Sequence, residues 1–344
     1  MKLPSRGKNR KIEMLNFANE LKRIDKQIGF KISARGWCYI LEQNNLMTKA
    51  EFGLVENLIN NGCRRNGILP IDFVAEEEGR RFSGVERPDE ESPVEFMKRF
   101  LYPFFHMEEY YTPDWWEGEK YYIQMLVEKI DLKTLFKPIC KKFHIPIATT
   151  KGWSSMLQRG EYARRFKKAE DKGLISVLLY CGDHDPDGLR ISDFLRKNLE
   201  DIMDITWIDG RRGYDPEDLI IERFGLNNDF IIKNNLSWIN NLITTFGKNL
   251  ADPLHRNHFF PYVQDYLKKY GAKKCEANAI VVKPEQGRNL CNETVEKYLG
   301  KYAERRFKNR KKKITKTIDE FNDRTGFDQL IYKAIRLIKS EDIK

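Results

Sequence analysis

The feature that most constrains this chain is an apolar run, Leu174 to Cys181, that stops abruptly at Gly182-Asp183-His184-Asp185-Pro186-Asp187-Gly188. An apolar run of that length bounded by turn residues reads as a strand buried on both faces. Similar runs occur at 121–128 (YYIQMLVE), 145–150 (IPIATT) and 204–209 (DITWID). Between them, residues 131–143, 154–172 and 188–202 have helical spacing. Buried strands alternating with helices specify a parallel, doubly wound sheet whose sites form at the carboxyl ends of the strands. The predicted fold class is therefore α/β, with a Rossmann-like parallel sheet.

Ahead of this unit the pattern is helical. Ile12, Leu15, Phe17, Leu21 and Ile24 fall close to one face of a helix over 10–28. Ser33 is a good N-cap for a second helix carrying Trp37, Tyr39, Ile40 and Leu41, and Thr48 with Glu51 forms a capping box for a third that runs to about Arg65. Gly67, Pro70 and the apolar stretch 68–74 then suggest a turn into a strand. Three helices followed by a strand are the outline of a winged helix-turn-helix, whose third helix would lie in a DNA groove. The acidic, Pro-containing stretch 86–95 reads as a linker, and the aromatic segment Phe96 to Trp116 either packs between domains or stacks on bases. Residues from about 216 onward read mostly as helix, with a dense basic run at 305–313 that is either a solvated face or a phosphate-tracking patch.

The net charge of +10 suits a polyanionic partner, because each cation set against a phosphate releases condensed counterions. The six cysteines are scattered without a C-x-x-C pair, which argues against structural zinc and for a reduced, cytoplasmic setting. The basic N-terminus leads into an amphipathic helix rather than a signal sequence, and no run of about 18 apolar residues suggests a membrane span.

Asp183 and Asp185 stand at i and i+2 where a strand ends, so in extended backbone their carboxylates point to the same side. Two carboxylates so placed can share a hard cation, and Mg²⁺ commonly takes one or two carboxylates with water and phosphate oxygens. Taken alone, the run is also readable as an acidic surface turn. Glu128, closing the first strand, is costly there unless it is paired, hydrogen-bonded or metal-bound, although a carboxylate facing a helix N-terminus is the plainer explanation. Glu128 and the Asp pair end different strands of one unit, so all three should meet at one edge. Lys151, after the second strand, ends on the same edge; Asp187 and Lys151 are additional candidates for metal or phosphate contact.

Glu at the end of one strand with D-x-D at the end of a later one resembles a Toprim domain. The fuller form, Asp183, Asp185, Pro186 and Gly188, resembles the Toprim of type IIB DNA topoisomerase A subunits, their meiotic double-strand-break relatives and small Toprim proteins of prokaryotes and mobile elements. That family carries R-x-x-[YF]-Y in its winged helix; here Arg35 and Tyr39 match, while Cys38 replaces the usual aromatic. Arg35 and Tyr39 are i and i+4, so they share a helix face where the guanidinium can favour the phenolate. Arg64, Arg65 and Gly67, then Glu78 and Arg80, look like the segment after the family's third helix, and Lys274 with Glu276 resembles its K-x-E segment. Tyr39 is also readable as an aromatic core residue.

The resemblance implies a winged-helix domain over 1–85 carrying the candidate tyrosine, a linker over 86–117, a Toprim domain over 118–285 and a basic helical extension over 286–344. It implies Mg²⁺ (or Mn²⁺) bound by Glu128, Asp183 and Asp185, catalysis by Tyr39 and Arg35, and DNA contacts from Arg64 and Arg65. The expected activity is double-strand cleavage of DNA through 5′-phosphotyrosyl links, by a nucleoid-associated homodimer in which the tyrosine of one protomer meets the metal of the other. The chain has no P-loop motif, so strand passage would need a separate ATPase subunit of the B type. Two other readings stay open: a Toprim nuclease using activated water, and a non-catalytic DNA-binding protein.

Overall fold

A computed structural model describes residues 3–5, 7–75, 91–150, 156–204, 210, 213–243 and 249–340. Thirteen α-helices and one four-stranded parallel sheet are found among them. Contacts divide the chain into two compact units, Met1–Glu78 with Glu119–Tyr298, and Gly79–Gly118 with Leu299–Lys344. No described helix is long and apolar enough to cross a membrane.

The first unit opens with α1 (Arg10–Ile28), which buries Met14, Phe17, Ala18, Leu21, Ile24 and Ile28. Ile12 and Leu15, expected on this face, are exposed, and the buried stripe begins instead at Met14. Helix α2 (Ala34–Gln43) is capped as expected by Ser33, whose side chain accepts the Gly36 N–H at 3.0 Å. The Thr48–Glu51 capping box starts a 3₁₀ turn that runs into α3 (Phe52–Asn57) and a π-helical stretch, Leu58–Arg64. After it, only a single parallel bridge, Ile32 to Val74, marks the strand expected over 68–74. Three helices are therefore present, but no wing is seen among the described residues.

The sheet consists of β1 (Tyr121–Val127), β2 (Ile147–Thr149), β3 (Ile175–Cys181) and β4 (Ile220–Gly225), in the order β2-β1-β3-β4. Helices α6 (Ile130–Lys142), α7 (Met156–Glu170) and α8 (Pro186–Glu200) connect them; α4 (Pro93–Leu101) and α5 (Met107–Tyr110) precede them in the chain and belong to the second unit. Every residue of β1 and β3 after the first is buried, as the apolar runs require. Of the strand expected at 204–209, Asp204 lies in a turn and 205–209 are outside the described residues. The observed edge strand is IIERFG, in a region expected to be mostly helical. Its Glu222 and Arg223 interrupt the apolar run that identified the others. The first unit continues through α9 (Asn228–Lys233), α10 (Pro261–Tyr270) and a 3₁₀ turn, Ala277–Ile280, into α11 (Pro284–Leu299).

The strand order turns back on itself between β1 and β3. β2 lies outside β1 on one side and β4 outside β3 on the other, so the crevice at the carboxyl ends of β1 and β3 is a topological switch point, where ligands of open α/β sheets bind.

The segment expected to be a linker, 86–117, is helical over most of its described length. Ser92 and Glu95 form a capping box for α4 (Pro93–Leu101), followed by a 3₁₀ turn, Tyr102–His106, and α5 (Met107–Tyr110). These pack on α12 (Ala303–Thr325) and α13 (Phe327–Ser340). Trp115 is buried against Phe307, with ring centroids 4.3 Å apart. Of the aromatic residues that looked like interdomain packing, Trp115 is thus buried within the second unit itself, while Phe100, Tyr102 and Tyr110 are exposed. Arg310 and Lys311 of the basic run hold backbone carbonyls of Asp114, Trp115 and Glu109 at 2.7–3.1 Å. The domain boundaries expected at 85 and 285 are replaced by a division in which the three N-terminal helices belong with the sheet.

Candidate functional site

Glu128 follows β1 and Asp183 follows β3, and these strands are paired in register up to Val127 and Cys181. The ladder continues one step further, with the Glu128 N–H donating to the Cys181 carbonyl at 3.0 Å. The Asp183 N–H in turn donates to Glu128 Oε2 at 2.8 Å. Two acids 55 positions apart in the chain are thereby fixed side by side. Asp185 caps α8, its Oδ1 accepting the Gly188 N–H at 2.6 Å. Gly188 is required by close approach rather than by a left-handed turn, because a Cβ there would overlap the Asp183 carbonyl. His184 points away from the acids and is buried among Trp238, Tyr266 and Tyr270, as alternation in extended backbone demands.

Asp183, Asp185 and Glu128 line one cleft of about 170 Å³ together with Lys129, Lys49 and Tyr39. The acid-rich segments meet here through a residue from elsewhere: Glu276, whose side chain is fully buried. Glu276 is ion-paired with Lys49 at 2.6 Å and Lys274 at 3.0 Å and accepts from Lys129 at 3.3 Å. Lys129 stands at the centre, 2.7 Å from Asp183 Oδ2 and 3.3 Å from Glu128 Oε1. Asp183 Oδ1 accepts the Ala277 N–H at 2.6 Å, which ties the acid pair to the K-x-E segment.

Burial pushes Asp183 well above the usual carboxylate range, reinforced by the neighbouring Glu128 and Glu276 charges and only partly offset by Lys129. Burial, with Glu128 nearby, likewise raises Asp185 to about 6. Burial opposes ionisation of Glu276 too, but Lys129, Lys49 and Lys274 outweigh it and hold that carboxyl well below its ordinary value. For Glu128 burial is outweighed by Lys129 and by the hydrogen bond from the Asp183 backbone, leaving it lowered. The cleft is thus an overcrowded acid site in which one ammonium, Lys129, does the work of a shared cation. Among the described residues, no group of three or more His, Cys, Asp or Glu side chains is arranged to hold a metal ion.

Tyr39 reaches this cleft from α2. Its ring meets Phe52 edge-on at 5.1 Å, with Lys129 Nζ 4.7 Å, Lys49 Nζ 5.9 Å and the Arg35 guanidinium carbon 5.8 Å from its centroid. The ring is half-buried and flanked by three cations, so it is not a plain core residue. It faces the acids of its own chain, whereas the resemblance implied a tyrosine supplied by a second protomer. Arg35 is exposed and also pairs with Glu56 at 3.3 Å. Cys38, the departure from the family pattern, is buried with its Sγ 3.6 Å from the Phe52 carbonyl, and burial raises its thiol to about 12.

The other expected site residues are dispersed. Arg64 donates through Nε to the Ile71 carbonyl at 2.8 Å and through Nη1 to Asn60 at 2.7 Å, closing the end of its helix, while Arg65 is exposed. Asp187 lies at the cleft margin and accepts from Tyr262 at 2.9 Å. Lys151 lies outside the described residues. Lys49 and Arg223 were not anticipated. Arg223 donates to the carbonyls of Gly182, Asp183 and Gly188 at 2.7–3.0 Å, gripping the acid loop from β4. Nothing local in the sequence marks either residue. Comparison of the chain with protein-family models, with curated proteins and with solved structures gave no match.

Proposed function

We propose that this chain binds Mg²⁺ or Mn²⁺ between Glu128, Asp183 and Asp185 and cleaves double-stranded DNA by transferring a phosphodiester to Tyr39, as the resemblance to type IIB topoisomerase A subunits implies. The observation that carries the reading is the meeting of these three carboxylates with Tyr39 in one cleft at the switch point of the sheet. All three proposed donors are carboxylates, the ligand type a hard cation prefers, and the crowding that raises Asp183 and Asp185 is what a divalent charge relieves. As they stand, the three are not gathered around one point and would have to reorient to share an ion. Lys129 marks the place of positive charge and would have to yield it.

A bound cation would neutralise the acids and polarise the phosphodiester oxygens. Lys129, Lys49 and Arg35 surround the Tyr39 ring, cations placed where a phosphodiester brought to that tyrosine would meet them. In the transfer, Tyr39 Oη bonds to phosphorus and the P–O3′ bond breaks. The phenolic proton is released to solvent and the 3′ oxygen leaves as a hydroxyl after taking a proton from solvent. The product is a 5′-phosphotyrosyl end whose ester energy is retained for resealing. A homodimer would make the paired cuts, and a separate ATPase subunit would drive any strand passage.

Incubation with end-labelled duplex and Mg²⁺ or Mn²⁺, followed by denaturation, tests this directly. Wild type should carry label covalently and Tyr39→Phe should not. Cleavage that persists in Tyr39→Phe, with no adduct in either protein, assigns the site to a nuclease using activated water.

Lys129 itself favours a second, non-catalytic reading, in which the acids and lysines form a buried ion network joining the N-terminal helices to the sheet. The two readings part on whether Mg²⁺ stabilises the protein once the competing ammonium is removed.

A further inference from the structure

The acid cleft has an aromatic margin that phosphodiester chemistry leaves unused. Two cleft-lining residues anchor it: Asp187 accepts from the Tyr262 hydroxyl at 2.9 Å, and the Leu250 carbonyl lies 2.9 Å from His258 Nδ1. Outward from these anchors, Phe259 and Phe260 are 73% and 47% exposed. The Phe260 ring is tilted by 38° to that of Tyr262 at 6.1 Å. From α8, the Arg190 guanidinium lies near two rings, 4.2 Å from the Tyr262 centroid and 4.6 Å from that of Phe194, itself 39% exposed. The backbone beneath is held in successive turns, with His258 N–H on the His255 carbonyl at 2.8 Å and Phe260 N–H on that of Asn257 at 3.1 Å. Pro261 then starts α10, so the rings sit on an ordered support.

Large rings left in water beside a guanidinium call for a partner that offers flat π faces and negative charge together. An aliphatic protein surface supplies neither, and paired DNA keeps its base faces covered. Unpaired nucleotides supply both, since every base can stack and every linkage carries a phosphate. We propose that Phe259, Phe260, Tyr262, Phe194 and Arg190 form a stacking platform that receives an unpaired stretch of nucleic acid and leads it to the cleft. The proposal deepens the phosphodiester reading and rests on it for the strand's destination, but binding at the platform needs neither the metal nor Tyr39.

Fluorescence anisotropy of the full chain in EDTA, with a labelled oligo-dT of about 12 nucleotides and a hairpin duplex of similar charge, tests the platform apart from cleavage. Wild type should prefer the single strand. F259A/F260A should lose about tenfold or more in oligo-dT affinity with duplex affinity unchanged, and both rings are exposed enough for the fold to tolerate their loss. In Phe259→Trp, oligo-dT should quench the new indole emission as bases stack on it. Oligo-dT affinity within about twofold of wild type in F259A/F260A, equal losses for both probes, or unquenched Phe259→Trp overturns the platform. Sedimentation that shows F259A/F260A dissociating a wild-type oligomer, with oligo-dT affinity unchanged, assigns the patch to a second copy and also overturns it. A wild type that binds oligo-dT as expected yet never cuts DNA leaves the platform standing and removes the cleavage reading alone.

Discussion

Lys129 decides how the acid cleft behaves. Its ammonium is the nearest compensation for Asp183 and also serves Glu128 and Glu276, so its removal leaves buried like charges facing one another. Lys129→Met should lose about 3 kcal/mol of stability in EDTA, the scale for breaking a buried ion pair. If the acids take a divalent cation, Mg²⁺ at about 100 times its Kd should restore roughly 2.7 kcal/mol and raise the melting temperature more in the variant than in wild type. A melting temperature indifferent to Mg²⁺ in both proteins would leave the ion network as a structural element only. A neighbouring acid gives a separate pH signature. Asp131 is buried, accepts from Asn278 at 3.1 Å and is raised by burial to about 6 from an unfolded value of 3.8. Between about pH 4 and pH 6 the unfolded chain has released this proton while the folded chain keeps it, so stability falls as pH rises through that window. Relative to Asp131→Asn, wild type should lose up to about 3 kcal/mol across it, as read by urea denaturation at several pH values. A difference independent of pH would refute the assignment.

Among the elements, α2 matters most, because it alone carries Tyr39 to the cleft. Its first turn is docked closely on α6: a Cβ on Gly36 would overlap both the Asp131 carboxylate and the Ile32 side chain. The glycine in Arg35-Gly36-Trp37-Cys38-Tyr39 is therefore a packing requirement. Trp37, the next residue, is fixed by stacking on Phe73 with centroids 5.3 Å apart. Gly36→Ala should cost about 1–3 kcal/mol, the range for overpacking a filled interior, and should appear as a lower urea midpoint at unchanged slope. A substitution without effect on the midpoint would mean that α2 is not seated as described. β4 matters differently. Through Arg223 it holds the three carbonyls that shape the acid loop, so the edge strand is part of the site's scaffold as well as of the sheet.

For the whole molecule, the consequence of interest is that each compact unit is assembled from segments far apart in the chain. The second unit joins residues 93–118 to α12 and α13, with Phe104 near Phe327 at 6.4 Å and Arg310 holding carbonyls of 114 and 115. A chain ending at Tyr298 should therefore lose more than its tail. Amides of α4 and α5 should lose hydrogen-exchange protection while those of β1 and β3 keep theirs. Continued protection of α4 in the shortened chain would show that 93–110 folds without its C-terminal partners.

The amino-acid sequence was enough to place β1, β2 and β3, the helices between them, the caps at Ser33 and Thr48, and the coming together of Glu128 with the Asp pair. Each of these follows from local signals: apolar runs broken by turn residues, hydroxyl side chains at helix starts, and the rule that parallel strands present their ends on one edge. What it left undetermined depends on neighbours distant in the chain. β4 is a strand because β3 offers it an edge, although its own pattern is interrupted by charge. Residues 93–110 are helical rather than linker because α12 and α13 give them a surface to pack on. Lys49, Lys129, Lys274 and Glu276 form one network only because three separate segments fold to a common point. A pattern read along the chain registers what a residue prefers, while the charge balance of a buried cleft is set by whatever else the fold brings within a few ångströms.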